Sequence, residues 1–214
     1  MNKTPAVTLA LLIANVLVFV LQQSGLHDWL LVKFALWPWG PSHQEGPFEI
    51  GFEPWQIVTY GFMHGNTTHI AMNLLALWMF GAPLERLWGS RPYALFYFVS
   101  VVGAAIAQLI VVGVVPADQT PAPTVGASGG VFGLLLGFAM MFPHAKIVPL
   151  FPPIPMPAWL FVMLYGAAEL MFGVTGTATG IAHFAHLGGM ATGFVMIQYW
   201  RGKLPFKPRA RLMQ

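Results

Sequence analysis

A serine at position 128 stands in the stretch Val-Gly-Ala-Ser-Gly-Gly-Val-Phe-Gly, residues Val125 to Gly133, where an apolar segment begins. Two other apolar segments carry His69 with Asn73 and His183 with His186. Polar groups at membrane depth are expensive, so they are functional candidates by default. A serine hydroxyl is a weak nucleophile without an adjacent base. Histidine is the usual base, because its unperturbed pKa is about 6.5. Together these residues are the ingredients for attack by a base-activated serine.

Each of them also has an ordinary use. A lone serine in an apolar helix usually bonds back to a carbonyl one turn earlier. At about 100° per residue, Gly126, Gly130, Gly133 and Gly137 fall on the face opposite Ser128, a stripe that admits a second helix closely. Ser128 also sits in the first turn after the loop 116–123. Free N–H groups and the positive helix end are available there, as a tetrahedral oxyanion requires. His186 shares a face with Gly189 and Gly193, at a close helix contact, and His183 lies one turn nearer the outside. For either histidine a structural hydrogen bond is the commoner role. Glu169 is the only deep carboxylate, and it reads as a structural or gating group, with orientation of a histidine as the alternative. His69 and Asn73, at i and i+4, share one helix face. Their N–H donors suit an oxyanion site, and a helix-to-helix hydrogen bond is the bland alternative. A metal site built from His64, His69, His183 and His186 would lack a tight His-x-x-x-His pair and a nearby carboxylate, so none is expected.

The elements that must position these residues are membrane helices. The chain has 214 residues, 57% hydrophobic and only 8% charged, against about 25% charged in soluble domains. It contains no cysteine, which excludes disulfides and thiolate chemistry. A span needs roughly 20 mostly apolar residues, and six segments are candidates: 6–24, 67–83, 91–114, 126–142, 157–174 and 179–200. The first reads as a retained span, because Gln22-Gln23-Ser24 is no small-x-small cleavage site. With the N-terminus in the cytoplasm, the cytoplasmic pieces hold Lys3, Arg86, Arg91, Lys146, Arg201, Lys203, Lys207, Arg209 and Arg211. The external loops then hold only Lys33 among the bases, with the acids Asp28, Glu45, Glu49, Glu53 and Asp118. This separation obeys the positive-inside rule. It makes the basic tail an anchor at anionic lipid rather than a nucleic-acid binder. The loop 25–66, rich in Trp and Phe, is expected to lie partly in the outer leaflet, and Pro149–Pro157 is a stiff non-helical connection. The second, fourth and sixth spans all enter from outside, which brings Ser128, His186, His69 and Asn73 to one depth.

These residues resemble the rhomboid family of intramembrane serine proteases, from about Pro54 to Gly193. The resemblance rests on Pro54-Trp55-Gln56, His69-x-x-x-Asn73, Glu85-Arg86 before Gly89-Ser90, Gly126-Ala127-Ser128-Gly129 and Ala185-His186-Leu187-Gly188-Gly189. It implies Ser128 as nucleophile, His186 as general base, and an oxyanion hole of His69, Asn73 and the Ser128 N–H. Phe132 would stack on the catalytic histidine, Gly126 and His183 would support the site, and the region 172–180 would gate it. It implies no metal and no cofactor. The expected fold is an all-α polytopic membrane protein: a six-span rhomboid-like bundle over residues 1–200, a partly membrane-embedded first external loop, and a basic tail over 201–214. The expected function is cleavage of transmembrane proteins near the external face of a plasma (inner) membrane, both termini being cytoplasmic. The alternative is a catalytically weak binder of membrane helices. Where the family commonly has Trp-Arg this chain has Trp55-Gln56, and oligomeric state is not assigned.

Overall fold

Each apolar run folds as a helix in the computed structural model, which describes residues 3–114, 122–176 and 182–206. Helix α1 spans Ala6–Gln22, preceded by extended Pro5. Next come α2 (His27–Phe34), a hairpin of β1 (His43–Glu45) with β2 (Phe48–Ile50), and the short α3 (Gln56–Thr59) with a 3-10 turn, Tyr60–Phe62. Helix α4 (Thr67–Ala76) passes through a π turn at Leu77–Gly81 into α5 (Ala82–Trp88). Asn66 starts α4 as its N-cap, its side chain accepting the His69 N–H at 2.8 Å, which satisfies an otherwise orphaned first-turn donor. Gly89, at φ +83°, separates α5 from α6 (Ser90–Val114). Helix α7 (Ser128–Met141) follows, then β3 (Lys146–Ile147) paired with β4 (Met156–Pro157), α8 (Ala158–Thr175) and α9 (His183–Trp200).

The chain is therefore mostly helical, and the two short ladders are the departure from an all-α reading. Among the described residues, two helices, Ser90–Gly113 and Ala158–Thr175, are long and apolar enough to cross a membrane, while Ala6–Gln22 and Ser128–Met141 are shorter apolar helices. Polarity is sorted as a lipid environment demands. Helix α1 exposes Ile13, Leu17 and Val20 while burying Thr8, Asn15 and Gln22. Most of those inward polar atoms find protein partners, as burial away from water favours, although Asn15 Oδ1 has none among the described residues. Asn15 donates to the Leu11 carbonyl at 2.7 Å, and Gln22 accepts the His64 N–H at 3.0 Å while donating to the His64 carbonyl at 3.2 Å.

The core is built on α6, α7 and α9, with Tyr93, Phe96, Tyr97, Leu134 and Ile197 almost fully buried. Of the expected glycine stripe, Gly130, Gly133 and Gly137 do face α6, where added β-carbons would meet Tyr97, Ser100 and Phe96. Gly126 is not part of that stripe. It precedes α7, has φ +130°, and faces His69; a helical projection does not apply to a residue outside the helix. The loop 25–66 folds on its own small cluster of Val32, Trp37 and Ile50, and leaves Trp29, Trp39 and Trp55 exposed. Gln56, fully buried, pins that loop: it accepts the Trp37 N–H at 3.2 Å and donates to the Val32 and Gly51 carbonyls.

Candidate active site

The starts of α4, α7 and α9 and the end of α8 meet at one end of the bundle. Ser128 is the first residue of α7. Its N–H and that of Gly129 precede the first intrahelical bond, which Val131 N–H makes to the Ala127 carbonyl at 3.0 Å. Such first-turn donors have no partner within the helix. The Ser128 side chain does not fold back on its own helix. Its Oγ lies 2.8 Å from Nε2 of His186, across 58 residues of chain.

A seam of glycines makes that reach possible. A β-carbon at Gly189 of α9 would collide with the Gly129 carbonyl of α7, and one at Gly133 would come within 3.2 Å of the Gly189 carbonyl. The two backbones therefore touch, and His186, one turn before Gly189, is carried up against Ser128. Phe132, one turn after Ser128, stacks on the His186 ring with centroids 4.1 Å apart and planes 7° apart. Tyr165 of α8 stacks on Phe132 in turn, at 5.2 Å.

Glu169, read from the sequence as a structural or gating group with orientation of a histidine as the alternative, is bonded to both histidines of α9. Its Oε2 lies 2.9 Å from Nδ1 of His186 and 2.7 Å from Nδ1 of His183. All three residues are buried. No spacing motif announces this carboxylate, because it comes from a different helix; its only sequence signal is that it is the one acid inside an apolar segment. Glu169, His183 and His186 bring one ligand atom each within 4.8 Å of one another. Both Nδ1 atoms aim at a single oxygen, however, so the geometry describes a hydrogen-bonded cluster. His64 and His69, from the turn before α4 and its first turn, pack on each other edge to face at 5.1 Å.

His69 reaches the site through Gly126. A β-carbon there would sit 2.8 Å from His69 Cε1 and Nε2 and 3.5 Å from Ser128 Oγ, so only glycine lets the imidazole approach the serine. Gly65 N–H donates to His69 Nδ1 at 3.4 Å, which leaves the proton on Nε2, the nitrogen directed at Gly126. Asn73 is buried on the next turn of α4, and one of its amide protons is used on the His69 carbonyl at 2.9 Å. The second remains for another acceptor. The structure thus gathers Ser128, His186, His183, Phe132, Gly126 and His69 around one point. Of the expected gate, 172–176 ends α8 at left-handed Gly176, and 177–181 lies outside the described residues, as does 115–121 of the loop before α7.

A mostly helical bundle with a serine bonded to a histidine at one end is the class that fold and site define. The family model described as Rhomboid domain matches residues 51–202. The chain is 32% identical over 169 residues to "Rhomboid protein 1, mitochondrial" of Saccharomyces cerevisiae, covering 74% of this chain and 45% of that protein. It is 30% identical over 193 residues to "Rhomboid protease GlpG" of Klebsiella pneumoniae, covering 88% and 61%, and 32% identical over 152 residues to "RHOMBOID-like protein 4" of Arabidopsis thaliana, covering 68% and 34%. The chain belongs to the rhomboid family, a membrane-embedded family that includes proteases. It spans between 34% and 61% of the length of these curated relatives.

Proposed function

We propose that this protein is an intramembrane serine endopeptidase, cleaving transmembrane proteins near the external face of a plasma (inner) membrane. Ser128 is the nucleophile and His186 the general base. As Oγ attacks the scissile carbonyl carbon, its proton passes to His186 Nε2 and the carbonyl oxygen becomes an oxyanion. The Ser128 N–H, His69 Nε2–H and the free Asn73 amide proton surround that oxygen. His186 then gives its proton to the leaving amine as the C–N bond breaks. Water attacks the resulting ester, its proton goes to His186, and Ser128 recovers it as the C–O bond breaks. Phe132 holds the imidazole ring, Gly126 admits His69, and His183 supports the cluster. No cofactor takes part. The proposal includes six spans, formed by α1, the α4–α5 rod and α6 to α9, with residues 201–214 as a basic cytoplasmic tail and lipid as the surrounding partner.

The observation that carries this reading is the 2.8 Å Ser128–His186 contact, within the usual reach of a nucleophile–base pair. Substituting Ser128→Ala in the full chain is expected to abolish both fluorophosphonate labelling and cleavage of a single-span reporter protein in proteoliposomes, while leaving thermal unfolding unchanged. Cleavage that persists in the variant would exclude Ser128 as nucleophile. A folded parent that neither labels nor cleaves would favour a membrane-helix binder.

A further inference from the structure

We infer that Glu169 is the third member of the catalytic constellation, a positioning residue that orients His186 and sets its tautomer, and that His183 holds Glu169 for that task. The inference rests on the protease reading above and deepens it from a pair to a triad.

The argument starts from the two ring nitrogens of His186. Nε2 faces Ser128 Oγ at 2.8 Å and Nδ1 faces Glu169 Oε2 at 2.9 Å. An ionised carboxylate oxygen can only accept, whereas a neutral imidazole carries one proton on one nitrogen. The proton therefore sits on Nδ1, and Nε2 presents its lone pair to the serine. That is the one tautomer in which His186 can take the Ser128 proton. Without an acceptor at Nδ1 the neutral ring can place its proton on either nitrogen, and half of the base's geometry is undetermined. When Nε2 does take the proton, the imidazolium charge forms beside the Glu169 carboxylate, which stabilises it without accepting the proton itself.

His183 fits the same scheme. Its Nδ1 also donates to Oε2, at 2.7 Å, from one turn earlier on α9. Two donors from one helix converge on one oxygen, so the carboxylate is anchored to the helix whose histidine it serves. The cluster lies in protein, with Glu169 and His183 each 5% exposed and His186 8%. A carboxylate that deep is costly unless paired and hydrogen-bonded. The ring plane of His186 is set separately by Phe132, so stacking and hydrogen bonding constrain different degrees of freedom of the same imidazole. The titratable groups around it are Glu169 and Tyr165 from α8, His183 from its own helix and His69 from α4.

The experiment compares the full-length parent with Glu169→Gln, which keeps the volume, and Glu169→Ala, in proteoliposomes. Three quantities are read: the rate of fluorophosphonate labelling, kcat and KM on the single-span reporter, and histidine ¹⁵N spectra that report which ring nitrogen carries the proton. Glu169→Ala is expected to lower labelling rate and kcat by about 10²- to 10⁴-fold with KM little changed, and the His186 spectrum is expected to lose its single tautomer. Glu169→Gln is expected to follow in the same direction. Unchanged kcat and an unchanged His186 spectrum in both variants, with only a lowered melting temperature, would overturn the inference and leave Glu169 structural. A parent that is inactive but whose His186 tautomer still depends on Glu169 would defeat the protease reading while supporting the orienting contact.

Discussion

His64 is 1% exposed, and neither of its ring nitrogens has a hydrogen-bond partner among the described residues. It lies in the turn before α4, against the ring of His69. Burial, and secondarily the neighbouring His69, lowers its pKa from 6.5 to about 4. The folded protein therefore holds it neutral, while the unfolded chain takes up its proton near the ordinary histidine value. Stability from this group is complete above about pH 6.5 and is lost as pH falls toward about 4, an effect of up to about 3 kcal/mol. Denaturation midpoints in detergent at acid and neutral pH are expected to differ less for His64→Phe than for the parent, and equal differences would refute this account. At this scale Ser128, His186 and His69 stood out in the sequence because each sits at a helical spacing from a glycine or a second polar residue, whereas Phe132 was singled out only by the family resemblance; the structure places Ser128 and Phe132 against His186. For Glu169 the choice between a structural or gating role and orientation of a histidine stayed open, because its partners lie on another helix, and one acid in an apolar run does not say what it faces. Gly126 was misplaced for a local reason: its positive φ ends the projection before α7 begins.

At the scale of elements, the site depends on how closely α7 and α9 approach. Gly129 and Gly133 face Gly189 and Gly193, and the contact is backbone on backbone. Gly189→Val would drive branched methyl groups into the Gly129 carbonyl. Overpacking of this kind costs about 1–3 kcal/mol. The functional effect is expected to be larger in proportion, because an ångström of displacement between Ser128 and His186 costs on the order of 10²-fold in rate. Reporter cleavage by the folded fraction of the variant should fall by at least that order, and its melting temperature should drop as well. A variant cleaving at the parental rate would show that the seam does not set the site's geometry. The helices of this seam were legible from apolar length and from glycine spacing. The hairpin at 43–50, the π turn at 77–81 and the ladder closing the Pro-rich connection were not. Each involves only two to five residues per element, too few for a periodic pattern to register.

For the whole molecule, the sorting of charge between the two ends carries the topological argument. Helix connectivity puts the site at the end where α1 stops and α4, α7 and α9 begin. The segment on that side holds Asp28, Glu49 and Glu53 beside Lys33. The other end gathers Lys3, Arg86, Arg91, Lys146, Arg201 and Lys203, and there Glu85 ties the helices together. Glu85 accepts the Val7 and Thr8 N–H groups at the start of α1 and the Ser90 hydroxyl at the start of α6. Lysine and arginine are retained on the cytoplasmic side of spans, and anionic lipid there attracts them by about 1 kcal/mol per charge. On this sorting of charge we propose that the basic end is the cytoplasmic one and that the serine opens to the outside. This orientation can be tested directly, because the chain has no cysteine and any thiol introduced is the only one. Glu49 and Lys203 are both exposed, one at each end. In sealed cells a membrane-impermeant maleimide is expected to modify Glu49→Cys at once and Lys203→Cys only after permeabilisation. The reverse pattern would put the site in the cytoplasm. Labelling of both positions without permeabilisation would place both ends on one side and break the even number of crossings.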